Sequence, residues 1–295
     1  MANTIDQVYI NTYERTVRHL AQQSITRLRP WVDERSVQSE AHNWETLNKH
    51  EATQKSTPGA IGRAVATPVD DYEWGRRISR PETWHTGDLT EPEDIVQMLV
   101  DPNSNLAQAQ GKAMRRAIDK SIINAADGAS YGPAGAIAFP AAQAIGATTA
   151  PVPMSYDLVT EVTEKFMEND VDPDEEKVFV VGPAQARKLL QLTEATSGDY
   201  NAVRPLTSKG YIESWMGYTW VVSTLLNDEQ GSGLETNCFA MTKRAIGLQM
   251  NKDVWVRVAE DPSVSFAWRV YAASTFGAIR VEDEQLVKCV LETTI

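Results

Sequence analysis

Cysteine is nearly absent from this 295-residue chain, which has only Cys238 and Cys289. Two cysteines make no disulfide framework and read as buried thiols of a reducing compartment. No run of about 18 apolar residues occurs, so no transmembrane helix and no membrane partner are expected. The N-terminus, MANTIDQVYINTYERTVRHL, lacks an apolar signal core, and general secretory export is not expected either. Nucleotide and hydrolase signatures are missing. There is no GxGxxG and no GxSxG, and Gly111-Lys112 lacks the earlier glycine and the following Ser or Thr of a phosphate loop. The four histidines, His19, His42, His50 and His85, lie in the first third, far in sequence from either cysteine and outside any HxxxH pattern. His42, Glu45 and His50 therefore read as solvated loop residues. Asp170, Asp172, Asp174, Glu175 and Glu176 read as a solvated acidic turn, since they miss the glycine and spaced glutamate of a calcium loop. The sequence thus points to no enzyme, no cofactor and no metal.

Positive charge is also scarce. Lys and Arg number 28 against 40 Asp and Glu, a net charge of −12. The deficit is uneven: residues 1–80 sum to +1 and residues 81–295 to −13. An acidic body argues against a sequence-reading nucleic-acid binder, which needs a basic face. It suits an abundant protein that must not adhere to nucleic acid.

What is present is organised around a long stretch, residues 32–93, without sustained helical or strand period. Loops of that length inside compact domains are functional or disordered. This one carries Trp44, Trp74 and Trp84, unlike a disordered segment. Its centre places Asp70, Asp71 and Glu73 immediately before Arg76, Arg77 and Arg80. That self-complementary pattern suits salt bridges to an identical neighbour, with Trp74 supplying most of the affinity. AIGRAVATPVDD (60–71) and RRISRPETW (76–84) form the two limbs of an extended hairpin on this reading. The bend falls near residues 72–75, with Gly75 as a turn residue and Pro81 opposing a central strand.

The flanking elements follow from periodicity. Residues 12–29 read as a helix with Tyr13, Val17, Leu20, Ile25 and Leu28 on one stripe and Arg15, Arg18 and Arg27 off it. It is either an ordinary surface helix or an arm docking on a neighbour. A second helix spans about 105–126, with a small-residue row (Leu106, Ala109, Ala113, Ala117, Ser121, Ala125) beside Met114, Ile118 and Ile122. Gly128 stands where a left-handed cap belongs. Residues 129–153 read as short strands or a hairpin. Ser155 caps a helix over 155–169 with Leu158, Val162 and Phe166 inward. A buried strand at 177–181 and a proline-started helix at 183–192 complete a small α/β unit. Strands follow at 218–224, 239–241, 245–249 and 254–258. Asp261-Pro262-Ser263 marks a turn, a long strand at 264–281 bends near Gly277, and 286–291 closes the chain. The class is α+β.

That order resembles the tailed-bacteriophage major capsid protein, with its HK-ninety-seven-like fold. DLTEPEDIVQMLVDPNSNLAQAQGKAMRRAIDKSIINAADG resembles the approach to the spine helix and the helix itself. VFVVGPAQARKLLQL looks like the strand and helix of the A domain. IESWMGYTWVVSTLL resembles an A-domain turn and strand. FAMTKRAIGLQMNKDVWVRVAEDPSVSFAWRVYAASTFGAIRVEDEQLV is similar to the sheet that completes the P domain. The resemblance implies an N-terminal arm (1–31), an extended E-loop region (32–95), a P domain with spine helix (96–153) and an A domain (154–237). It further implies completion of the P-domain sheet (238–282) and a C-terminal strand returning to the A domain (283–295). It implies pentamers and hexamers tiling an icosahedral head around double-stranded DNA, made in the bacterial host cytoplasm. The contacts between copies would come from Trp74, Arg76, Arg77, Arg80, Asp70, Asp71, Glu73, Trp84, Arg15 and Arg18. A separate scaffolding protein, a portal and a decoration protein are the expected further partners. Lys49 and Lys55 lie only near the start of the loop, so lysine cross-linking is not carried over. The alternatives are an encapsulin-type compartment of the same fold and a soluble enzyme with a mobile arm.

Overall fold

The computed structural model describes residues 22–50, 52, 54, 74–93, 102–192, 212–228 and 233–293, the first two of the long helix by backbone alone. The chain divides into two compact units. One comprises Met1–Thr26, Thr83–Ile118 and Lys252–Thr275, the other Arg27–Glu82, Asp119–Asn251 and Phe276–Ile295.

The second unit is built on a six-stranded sheet. Its strands are β7 (Ala144–Ile145), β8 (Lys177–Val181), β9 (Ser214–Trp215), β10 (Tyr218–Val222), β11 (Glu235–Thr242) and β14 (Leu286–Glu292), in the order β7-β14-β11-β8-β10-β9. β8 is fully apolar from Val178 onward and lies between β11 and β10, antiparallel to one and parallel to the other. Helices α2 (Tyr156–Glu168) and α3 (Pro183–Gln191) supply the rest of the core. Ser155 caps α2 by accepting from the Leu158 N–H, and Leu158, Val159, Val162 and Phe166 are its buried face. Phe179 stacks on Trp220 at 4.6 Å between centroids, with Trp215, Tyr218 and Phe166 around them. Each such buried side chain contributes about 1.5–3 kcal/mol of apolar burial.

The other large sheet has the order β1-β12-β13-β4, from β1 (Asp33–Ser36), β12 (Ile246–Asp261), β13 (Ala267–Arg280) and β4 (Glu82–Thr90). Strands β2 (His42–Leu47) and β3 (Trp74–Ser79) form a separate antiparallel ribbon, and β5 (Ser130–Gly132) and β6 (Gly135–Ile137) a small hairpin. Helix α1 (Pro102–Asp127) is 26 residues long, about 39 Å.

Several expectations are corrected. Among its described residues the stretch 32–93 contains four strands. The limb 76–84 is β-structured, but β3 pairs with His42–Leu47, while the limb 60–71 and residues 72–73 lie outside the described residues. Gly75 sits within β3 facing Thr46 rather than in a turn. Pro81 falls in the break between β3 and β4. Residues 22–28 are not helical, because the buried Asp119 carboxylate takes the Arg27 and Leu28 N–H groups at 2.8 and 3.3 Å. The rest of that helix, with Arg15 and Arg18, lies outside the described residues. On α1 the inward row is Gln110, Met114, Ile118, Ile122 and Ala126, and the small-residue row is only half-buried. Gly128 is absent from the positive-φ glycines; its N–H closes the helix on the Asn124 carbonyl at 2.8 Å. The two strands expected at 245–249 and 254–258 are one 16-residue strand. The turn after it extends through Phe266, so β13 begins only at Ala267. The expected bend at Gly277 is a close crossing, where a Cβ would sit 2.5 Å from the Arg80 carbonyl oxygen. Both β7 and β11 hydrogen-bond within the six-stranded sheet.

Candidate assembly surface

The β2–β3 ribbon is fixed at one end and open at the other. At the fixed end Trp44 is 7% exposed and donates its Nε1–H to Ser79 Oγ at 3.1 Å. Ser79 Oγ donates onward to Gln249 Oε1 at 2.8 Å, and Gln249 Nε2 donates to Asn251 Oδ1 at 2.8 Å and to the Ser39 carbonyl at 3.2 Å. Every polar group of this buried chain has a partner, which rigidifies it. Gly247 makes the slot for the indole: a Cβ there would lie 2.6 Å from the ring. At the open end Leu47 and Trp74 face each other across the ribbon, 50% and 67% exposed. An adjacent exposed aromatic and aliphatic side chain with polar surroundings is the pattern of a contact surface.

The arginines separate into two roles. Arg76 lies opposite Glu45 and donates to it at 2.8 Å, an exposed pair of small energetic weight. Arg80 is exposed, and Trp84 is 44% exposed on β4. Arg77 turns inward and donates to Asp283 Oδ2 at 2.8 Å within its own chain. The other oxygen of Asp283 accepts from Arg280 Nε at 2.6 Å. Arg280 is fully buried, donates also to the carbonyls of Gly128 and Ala138, and lies over the Phe139 ring at 4.8 Å. Arg77 is thus tied to an internal junction. Asp70, Asp71 and Glu73 lie outside the described residues.

Sequence reasoning missed this junction and a second one at the end of α1. Asp127 accepts from Lys288 Nζ at 2.7 Å, Asn227 Nδ2 at 2.8 Å and Asn237 Nδ2 at 3.0 Å. Burial alone would push its carboxyl up, but these donors hold it below the usual carboxylate range. No periodic signal marks either junction, since each brings together segments 100 or more positions apart.

The polar clusters offer little chemistry. A cavity of about 550 Å³ is lined by Glu45, Lys49, Arg77, Arg244, Glu282 and Glu284, among others, with both signs interspersed. Burial pushes the Glu282 carboxyl up, offset by Arg244 and reinforced by Glu175 and Glu284. His42 packs edge-on against Trp44 at 4.9 Å. Cys238 and Cys289 are fully buried and face each other across β11 and β14. Burial pushes the Cys238 thiol up to about 12, with the Gly182 backbone N–H opposing, and Cys289 likewise rises. Among the described residues no group of three His, Cys, Asp or Glu could hold a metal ion.

Comparison with known proteins accounts for this surface-dominated design. The family model described as phage capsid protein matches residues 5–291. The chain is similar to the capsid structure of the cyanophage P-SCSP1u, with a TM-score of 0.76, 14% identity and coverage of 99% of this chain and 95% of that one. It is similar to the structure titled Mycobacterium phage Che8, with a TM-score of 0.71, 16% identity and coverage of 100% and 99%. The capsid of cyanophage Pam1 gives 0.72, 11% identity and 99% coverage of both chains. No curated protein matches. The structural likenesses establish the HK-ninety-seven-like fold, and they do not favour the encapsulin alternative. Matched by the family model over nearly its whole length, the chain belongs to the phage capsid protein family and is a structural major capsid protein of the virion rather than an enzyme.

Proposed function

We propose that this capsid protein forms pentamers and hexamers of an icosahedral head around double-stranded DNA, with the β2–β3 ribbon strapped onto a neighbouring copy. The observation that carries the strap is the open end of the ribbon. Leu47 and Trp74 stay exposed there while Trp44, Ser79 and Gln249 hold the other end to the subunit's own body. Arg76 and Arg80 extend the contact, and Trp84, Asp70, Asp71, Glu73, Arg15 and Arg18 are proposed as further contact residues from the sequence pattern alone. On this reading the ribbon and its connecting segment are the E-loop, α1 is the spine helix, and the six-stranded sheet with α2 and α3 is the A domain. The sheet containing β12 and β13 is the P domain. Synthesis in the host cytoplasm, a separate scaffolding protein, a portal and a decoration protein complete the proposal. The charge of −13 over residues 81–295 supports an inner wall that repels packaged DNA.

The test compares wild type with a Trp74→Ala/Arg76→Ala/Arg80→Ala variant by sedimentation, electron microscopy and circular dichroism. The variant is expected to keep its spectrum and lose its particles. Particles formed by the variant as readily as by wild type would refute the strap. A wild-type chain that stays a small oligomer under all assembly conditions would refute the shell.

A further inference from the structure

A groove runs along the free edge of β2. The cavity of about 550 Å³ touches every residue from Glu45 to Lys49 in turn. A second, of about 510 Å³, touches every residue from His42 to Thr46. Both are also lined by Arg244, Val281 and Glu282, so they are two ends of one groove. Successive side chains of a strand point to opposite faces. A cavity that meets them all therefore follows the strand's edge, where backbone N–H and C=O groups lie. β3 occupies the other edge of β2, and among the described residues no further strand pairs with it. From His42 to Lys49 the groove is about 26 Å long, room for an extended segment of about eight residues.

The charges along the groove select what it takes. Arg77 and Arg35 are closed on Asp283 and Asp33 at 2.8 and 3.2 Å. Glu282 and Glu284, on the facing wall, are held loosely. Arg244 lies 3.8 Å from Glu282, and Lys49 lies 3.6 Å from Glu284 and 3.5 Å from Asp170. These two cations are 67% and 64% exposed, so the pairs are weak. Gln285 donates to Glu282 but brings no charge, and Glu175 adds a further carboxylate beside it. Asp170, Glu175, Glu282 and Glu284 thus share two loose cations. We propose that this groove takes an extended cationic segment of another protein, added as a strand to the open edge of β2 with lysine or arginine side chains on Glu282 and Glu284. Main-chain bonds to β2 supply affinity, and the carboxylates choose the partner. A second copy of this chain is the poorer fit, because its net charge of −12 repels it on approach.

Unassembled subunits suffice for the test, so its outcome is independent of the strap and of the shell. The probe is a fluorescein-labelled peptide of about eight residues, alternating lysine with valine, read by fluorescence anisotropy. Wild type should bind it saturably at one site, with hydrogen exchange slowed at 42–47. Glu282→Gln/Glu284→Gln should weaken binding at least tenfold. Glu161→Gln/Glu164→Gln, an equal charge change at exposed positions of α2, should leave it unchanged. Circular dichroism checks that both variants fold; Glu284 is exposed, so Glu284→Gln alone serves if its pair does not. Of two peptides N-methylated at opposite alternate sets of residues, one should lose binding, since a strand offers β2 only one set of N–H groups. No binding by wild type would overturn the proposal. So would equal weakening by the two variant pairs, which would make the attraction a property of the whole acidic body, or full binding by both methylated peptides. Tighter binding of a peptide of residues 1–21 than of the lysine peptide would seat a second copy in the groove and overturn it too.

Discussion

Replacing Arg280 by leucine tests the internal junction most severely. Arg280 is fully buried, and its guanidinium bonds Asp283 and the carbonyls of Gly128 and Ala138. Leucine fills part of the volume but leaves two carbonyls without this donor and one carboxylate with only Arg77. Removing one partner of a buried ion pair costs about 3–5 kcal/mol. Summing the pair and each orphaned carbonyl separately would double count, because all three bonds end on one side chain. At roughly 2 °C or more per kcal/mol, Tm should fall by about 10 °C. Scanning calorimetry of unassembled subunits measures this. Arg77→Ala provides the contrast, since Asp283 keeps Arg280; its loss should be about 1 kcal/mol and confined to the ribbon. Pairing Arg280→Leu with Asp283→Leu removes both charges and should recover part of the loss. A single-variant loss under about 1 kcal/mol, or a double variant no better than the single, would refute the reasoning.

Gly247→Ala should destabilise the subunit by about 1–3 kcal/mol through collision with the Trp44 ring, and Trp44→Phe should relieve part of that in the double variant, read by urea unfolding. Stability should respond to acid with two opposite signs. Glu282 has a raised folded carboxyl, so its ionised form disfavours folding, and that penalty fades as pH falls through the raised value. Asp127 has a lowered folded carboxyl, so its contribution is full above the ordinary carboxylate range and is lost as pH falls through the lower value. Tm measured from pH 7 downward should therefore lose stability more slowly near the ordinary range in wild type than in Glu282→Gln, and more steeply below it than in Asp127→Asn. Cys238 and Cys289 should resist a thiol reagent in the native subunit and both react in denaturant, because burial withholds the thiolate.

Local chemistry made the α/β portion legible. Ser155 as cap, the inward Leu158, Val162 and Phe166, the apolar strand 177–181 and Pro183 opening a helix each depend on neighbours within a few residues. The ribbon was half legible. Trp74 and the arginines stood out in sequence, but the distinction between Arg76 at the surface and Arg77 in the interior depends on Asp283, some 200 residues away. The helix expected to continue through residues 22–28 failed for the same reason, since Asp119 claims the backbone donors it needed.

By itself, then, the sequence determined the α+β class, an acidic body and an aromatic-bearing stretch between residues 32 and 93. All follow from composition and short-range periodicity. The tertiary structure alone decided that β3 pairs with β2, that glycine at 247 is a slot for Trp44, that Asp127 and Arg280 are the buried junctions, and that Phe266 stands strained at a hairpin tip. All but the last depend on which distant residues meet, and no local period records that.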